Sequence, residues 1–268
     1  MEILICIKQV PDDSIEVKVD KVTNLPIIDA IDKTVNAFDT YALEMAARFK
    51  EANGGEITAL SIGKDSAKDA LRSCLSVGAN KAFLVRDDVF NDSDAIETSY
   101  ILAKAIAYLE EKNGKKYDII FCGKETTDST AGQVGCQLAE QLDRGLITNI
   151  IEINPAAAGI SAKHETEEGY IVIESVLPAV VTITKPNYDP RYPTIKNKMA
   201  ARKMAIDEIK AADLKDIDNS KIGESGVYVK TLKYYEPPKR QAGIKIKEEK
   251  CEESTLKAIA MMVEAKVI

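Results

Sequence analysis

Tryptophan is absent from the 268 residues and histidine occurs once, as His164. A Ser-His-Asp triad would have to use that residue, and no His-based metal cluster can be assembled from it. His164 sits in a charged stretch, where an exposed loop or strand is the ordinary placement. The five cysteines, at 6, 74, 122, 136 and 251, are scattered, odd in number and contain no CxxC pair. Buried thiols in a reducing compartment account for them better than a disulfide framework does. No apolar run is long enough to span a bilayer. Met1-Glu2-Ile3-Leu4-Ile5-Cys6-Ile7 lacks the basic start and small-residue cleavage site of a signal peptide, so it reads as a strand and a cytoplasmic location is expected. Basic residues number 36 against 43 acidic ones, a net charge of −7, which argues against a general nucleic-acid surface. Neither a Walker loop nor a GxGxxG fingerprint occurs. No acid–base or nucleophilic set is evident, so any redox or group-transfer chemistry is expected to come from a bound cofactor.

What the chain does contain is concentrated in residues 117–142. Asp118-Ile119-Ile120-Phe121-Cys122 is an apolar run of the kind found in buried parallel strands. Gly123 and Lys124 break it, and Glu125-Thr126-Thr127-Asp128-Ser129 forms a polar loop. Thr130-Ala131-Gly132-Gln133 fits a capping box, followed by Val134, Leu138 and Leu142 on one helical face. A strand, a loop and a helix N-terminus in this order present unpaired N–H groups, which suits a phosphate, and Gly132 would let a ligand approach the backbone. The same unit can also be an ordinary capped helix that holds nothing.

The remaining N-terminal part repeats the pattern. Residues 2–10 read as the first strand, stopped by Pro11, and residues 16–19 alternate like a short edge strand. Asp39 is a plausible N-cap for a helix with Tyr41, Ala42, Met45, Ala46 and Phe49 inward, ended by Asn53-Gly54-Gly55. Residues 56–62 are the second strand. Asp65 or Ser66 caps a helix that Gly78 ends, and residues 81–85 are the third strand. Asp92-Ser93-Asp94 opens a further helix with Ile96, Tyr100, Ala103 and Ala107 in register, closing near Asn113-Gly114. Alternating strands and helices predict an α/β fold, an open and mostly parallel Rossmann-like sheet with helices on both faces. Ligands of such sheets sit beyond the strand C-termini at the topological switch, here residues 8–10, 61–63 and 123–132.

After Leu142 the pattern changes. Residues 150–153, 160–163 and 169–176 read as antiparallel additions, and residues 178–184 as another strand. A proline-stiffened loop, residues 187–193, leads into a basic helix, 195–203, with Lys196, Lys198, Arg202 and Lys203. That helix is either a solvated face or a docking surface. Residues 218–226 have the composition of a linker, 227–234 are strand-like, Pro237-Pro238-Lys239-Arg240 reads as extended, and 252–265 form a last helix with Leu256, Ile259, Ala260 and Val263 on one face. The expected division is a nucleotide-binding domain, residues 1–218, and a C-terminal arm, residues 219–268, that packs on a partner chain.

Four stretches together resemble the β subunit of electron transfer flavoproteins, over nearly the whole length. They are Cys6-Ile7-Lys8-Gln9-Val10-Pro11-Asp12; Asn36-Ala37-Phe38-Asp39 with Ala42-Leu43-Glu44; Gly123-Lys124-Glu125 through Asp128 to Gln133-Val134-Gly135; and Leu177-Pro178-Ala179-Val180-Val181-Thr182 leading to Pro190-Arg191-Tyr192 and Thr194-Ile195. The resemblance implies an adenine nucleotide α-hydrolase-like fold paired with an α subunit that carries the electron-transferring FAD. The chain's own crevice would hold FAD that accepts a hydride from NADH, as in the electron-bifurcating branch, or a structural AMP. The Lys-Gln-Val-Pro-Asp start and Asp39 lean toward FAD. The implied nucleotide set is Ile7, Lys8, Val10, Asp39, Ile62, Gly123, Thr127, Asp128, Ala131, Gly132, Gln133 and Val134. Pro190, Arg191, Tyr192 and Ile195 would contact a flavin-dependent dehydrogenase of the acyl-CoA or 2-hydroxy acid type, with Ile195 as the apolar anchor, and a ferredoxin is a further conceivable acceptor. The chain departs from the family at Glu125, usually glutamine, and at Thr130, usually acidic. Glu125 is expected to point away from a phosphate or to pair with a lysine. Two other readings of such a sheet are an ATP-pyrophosphatase-like enzyme, whose Ser-Gly-Gly phosphate loop is missing, and an AMP- or ATP-sensing module without a flavoprotein partner.

Overall fold

The computed structural model describes residues 1–28, 30–236, 238 and 242–268. The N-terminal half alternates as its apolar runs and glycine stops dictate. β1 (Glu2–Cys6) is followed by a short hairpin, β2 (Gln9–Pro11) with β3 (Lys33–Val35), and then by α1 (Ala37–Asn53), β4 (Glu56–Ile62), α2 (Ala67–Val77), β5 (Lys81–Val85), α3 (Ala95–Asn113) and β6 (Ile119–Gly123). After α4 (Val134–Gln141) come β7 (Gly145–Ala156), β8 (Gly159–Thr166), β9 (Gly169–Val176), β10 (Ala179–Ile183), α5 (Ile195–Lys203), β11 (Asp207–Ile209) and, in the arm, α6 (Cys251–Glu264).

The main sheet has the order β11-β5-β4-β1-β6-β10-β7-β8-β9. It is parallel from β11 through β7, and only the β7-β8-β9 meander is antiparallel. Side-chain alternation sorts the core into two layers. Ile3, Ile5, Ala59, Leu84, Phe121 and Val181 face α1, α2 and Ala201 of α5, whereas Leu4, Leu60, Val85, Ile120 and Val180 face α3 and α4. Both faces of the central strands are therefore covered, and each fully buried aliphatic side chain there contributes roughly 1.5–3 kcal/mol. The chain leaves β1 toward β4 and β5, then recrosses through α3 to place β6 on β1's other side. The switch point thus falls between β1 and β6.

Several local expectations are corrected. Residues 2–10 are not one strand, because the ladder breaks at Ile7-Lys8, where the Lys8 amide bonds to Asp39 and its carbonyl accepts from the Asn36 amide. Residues 16–19 form no strand among the described residues beyond a single bridge, Val19 to Pro26. Asn36, not Asp39, occupies the N-cap position of α1. The buried face of α3 runs through Ile101, Leu102, Ala105, Ile106 and Leu109, while Ile96 and Ala107 are exposed. Residues 218–226 do not hang free. Ile222 is buried against the α3 layer and the Gly223 amide donates to Glu97 Oε1 at 2.6 Å. Residues 227–234 form no strand; Val227 is half-buried and 228–234 are exposed. Of the run Pro237-Pro238-Lys239-Arg240, all but Pro238 lies outside the described residues. Among the described residues no helix is long and apolar enough to cross a membrane.

Candidate functional site

The floor of the switch-point crevice is built around Asp39, in the first turn of α1. Its Oδ2 accepts from the Lys8 amide at 2.7 Å and its Oδ1 from the Gly123 amide at 3.2 Å. One carboxylate therefore ties the end of β1 to the end of β6. Burial pushes its pKa up to about 7, against the opposing pull of the Lys8 amide, Asn36, the Gly123 amide and the Lys8 ammonium. Gly123 is obligatory here, since a Cβ would lie 2.3 Å from Asp39 Oδ1.

Asn36 positions the loop that follows β6. Its Nδ2 donates to the Glu125 carbonyl at 2.8 Å and its Oδ1 accepts from the Thr127 amide at 3.1 Å. The side chain is fully buried, and the two bonds hold the loop over the crevice like a missing ladder strand. Asn36 had no role assigned from sequence. Only its loop partners reveal its task. The Lys124 amide, bonded to the Ile183 carbonyl at 2.8 Å, fixes the loop's start. At its tip Lys8 Nζ meets both oxygens of Asp128, at 2.9 and 2.7 Å.

The capping box does not form. Thr130 is left-handed at φ 51° and its hydroxyl turns to the Ser129 carbonyl, so it cannot reach the α4 amides. Gln133 takes the N-cap position without a side-chain bond. Ala131, Gly132 and Gln133 are exposed, and among the described residues the protein's own hydrogen bonds do not use their amides. Gly132, at φ 63°, lies at the surface. A Cβ there would meet nothing closer than the Lys124 carbonyl at 3.7 Å and Glu125 Oε2 at 3.9 Å. Unused amides before a helix N-terminus, next to room for a ligand, fit a phosphate-bearing group. Glu125 forms no lysine pair among the described residues, and its carboxylate lies on the Gly132 side rather than away from it.

The structure brings Lys8, Asp39, Gly123, Thr127 and Asp128 into this one assembly, with the 131–133 backbone following directly in the same loop. Ile7 and Val10 are buried, so their side chains offer a ligand little surface and their backbone is what lies near the crevice. Ile62 is half-buried at the end of β4, and Val134 opens α4. Gln9 and Ser66, neither of them in the implied nucleotide set, join the flanking loops: Gln9 Nε2 donates to the Ser66 carbonyl at 2.7 Å and Ser66 Oγ to Gln9 Oε1 at 2.8 Å. Among the described residues no group of His, Cys, Asp or Glu is placed to hold a metal.

Elsewhere, the loop before α5 presents Tyr192, 92% exposed, and Ile195, 80% exposed. Pro190 is half-buried. Arg191 turns inward, its Nε donating to Glu44 Oε2 at 2.7 Å.

Crevice and loop define a doubly wound α/β protein with a candidate ligand site at its switch point and a separate, exposed apolar tip. The electron transfer flavoprotein domain matches residues 25–214. Electron transfer flavoprotein subunit beta of Megasphaera elsdenii is 41% identical over 93% of this chain and 92% of its own. Protein FixA of Bradyrhizobium diazoefficiens is 34% identical over 90% and 84%, and the caffeyl-CoA reductase–Etf complex subunit CarD of Acetobacterium woodii is 36% identical over 77% of each. The chain belongs to the electron transfer flavoprotein family, as a β subunit.

Proposed function

We propose that this chain is the β half of a heterodimeric electron carrier and that its own crevice takes FAD. Hydride from NADH enters there, and electrons pass through the FAD of an α subunit to or from a flavin-dependent dehydrogenase. The observation that carries the reading is the loop pinned by Asn36, which leaves the amides of Ala131, Gly132 and Gln133 exposed and unclaimed. The Lys8-Gln9-Val10-Pro11-Asp12 start and Asp39 lean toward the FAD-containing, bifurcating branch.

When bound, FAD supplies two-electron uptake and one-electron release. The chain's own residues bind and orient. The backbone at Ile7, Lys8 and Val10, with Ile62, borders the adenine side. Amides from Ala131 to Val134 face the phosphates with the partial positive charge of a helix start. Asp39 and Gly123 keep the two strand ends at a fixed separation, so the cradle exists before its ligand arrives. Lys8, whose ammonium pairs with Asp128 in an exposed contact, would be available to a phosphate group. No acid–base residue is required of this subunit, which acts as a carrier rather than as an enzyme alone.

Residues 219–268 serve as the arm that grips the α subunit. Leu256, Ile259, Met262 and Val263 of α6 are all exposed, an apolar stripe that the described residues leave largely uncovered.

Co-expression with an α subunit, followed by release and counting of nucleotides, tests the reading. Two FAD per heterodimer are expected. One FAD with one AMP per pair would overturn the proposed hydride route and leave the crevice a structural nucleotide site.

A further inference from the structure

We infer that Arg191 is a positioning residue that braces the docking loop from inside, and that the partner-facing groups are Tyr192, Ile195 and the basic face of α5. The inference rests on the reading that this loop meets a dehydrogenase.

Arg191 stands one residue before the most exposed side chain of the loop, yet its guanidinium is consumed within the chain. Its backbone amide and Nε donate to Glu44 Oε2 at 3.1 and 2.7 Å, and Nη2 donates to Glu44 Oε1 at 3.2 Å. Nη1 pairs with Glu51, and Nη2 reaches Glu51 Oε2 at 3.1 Å. Glu44 is itself buried in α1 and takes a further bond from Arg48 Nε at 2.6 Å. The Arg48 guanidinium stacks on Tyr188 with 3.9 Å to the ring centroid. Loop residues 188 and 191 are thus bolted to successive turns of α1, a helix already fixed at its other end by the Asp39 floor. Burial alone would raise the Glu44 carboxyl, but its bonds to Arg191 and Arg48 hold it below the ordinary range, as expected of a carboxylate kept ionised in a packed site.

The fork geometry of guanidinium explains why arginine stands here, since its spread N–H groups reach both oxygens of Glu44 and both oxygens of Glu51, which the compact ammonium of a lysine could not do. With the loop ordered in advance, seating Tyr192 and Ile195 costs little further entropy. The surroundings define the partner. Arg191's charge is cancelled by Glu44 and Glu51, whereas Lys196, Lys198, Arg202 and Lys203 are exposed on α5 in a chain of net charge −7. The surface fits an apolar recess rimmed by acidic residues.

The test uses the intact heterodimer as electron donor to a purified flavin-dependent acyl-CoA dehydrogenase, with Arg191→Lys, Glu51→Gln and Ile195→Ala compared with the parent. Glu51 is a half-exposed side chain whose loss of charge leaves the core untouched. Both Arg191→Lys and Glu51→Gln are expected to raise the KM for the heterodimer about tenfold with kcat changed by less than about twofold. Amide exchange over residues 188–195 is expected to quicken in both. If Arg191 contacted the partner directly, lysine would retain binding and Glu51→Gln, which frees the guanidinium, would leave KM unchanged or lower it. Either result overturns the inference. An Ile195→Ala heterodimer indistinguishable from the parent would instead overturn the docking reading on which it rests.

Discussion

Gly123 donates its amide to Asp39 at 3.2 Å and leaves no space for a side chain, because a Cβ would sit 2.3 Å from the same carboxylate and 2.9 Å from Phe38 Cβ. The chain thus spends a glycine to let a helix carboxylate touch the end of the neighbouring strand. Gly123→Ala is expected to cost about 1–3 kcal/mol, as overpacking does, and to loosen the crevice floor. Gly132→Ala is the contrasting case. Its Cβ has room, and only the left-handed backbone is penalised, at about 1–2 kcal/mol. Urea unfolding of both variants, with nucleotide content measured alongside, checks the pair. Nucleotide loss in Gly132→Ala but not in Gly123→Ala would invert this account of the floor.

Asp39 makes stability depend on pH. Burial raises its pKa to about 7, above the ordinary carboxylate range. Between those two values the folded chain holds a proton that the unfolded chain has released, so stability falls as pH rises through the window and is level above it. Asp39→Asn leaves one of the two amides without an acceptor, so it should be less stable than the parent at about pH 5, and the gap should narrow by about pH 8. Denaturant titrations at both pH values read this directly. Parallel pH profiles for parent and variant would show that the carboxylate does not titrate in this range.

Beyond Lys230 the arm buries nothing among the described residues. Its root is held where the Tyr228 and Val229 amides donate to Asp94 Oδ2 at 2.7 and 3.0 Å, and α6 has no buried residue. A chain ending at Lys230 should therefore keep its melting temperature within a few degrees, corresponding to less than about 1 kcal/mol. The same chain should fail to co-purify with the α subunit. Retained heterodimer formation would assign pairing to another surface.

Much of this was legible in the sequence, and for particular reasons. Residues 56–62, 81–85 and 169–176 and helix 195–203 have the same bounds in the structure as in the reading, because each is a distinct strand-like or helical run, bounded by glycine at 56–62 and 169–176, by polar Asn80 and Arg86 at 81–85, and by the Thr194 cap at 195–203. Failures occur where a distant partner decides. β1 stops at Cys6 because Lys8 bonds to Asp39 and Asn36, an interaction spanning about thirty residues that no local window contains. Thr130 matches a capping box by spacing, yet the loop pinned by Asn36 forces it left-handed. Arg191 looks like a surface contact until its two glutamates, seven residues apart on α1, are seen on one side of it. β7 is parallel to β10 and antiparallel to β8, a double pairing that periodicity cannot convey.

The central claim is that backbone amides between β6 and α4 bind the phosphates of an adenine nucleotide, and Gly132 is where it is most exposed to test. Native mass spectrometry of the heterodimer carrying Gly132→Trp, whose indole would fill the open space beside those amides, reads the answer without reference to turnover. The account predicts a pair lacking one nucleotide and retaining the other. A full complement of nucleotides in that variant would contradict it.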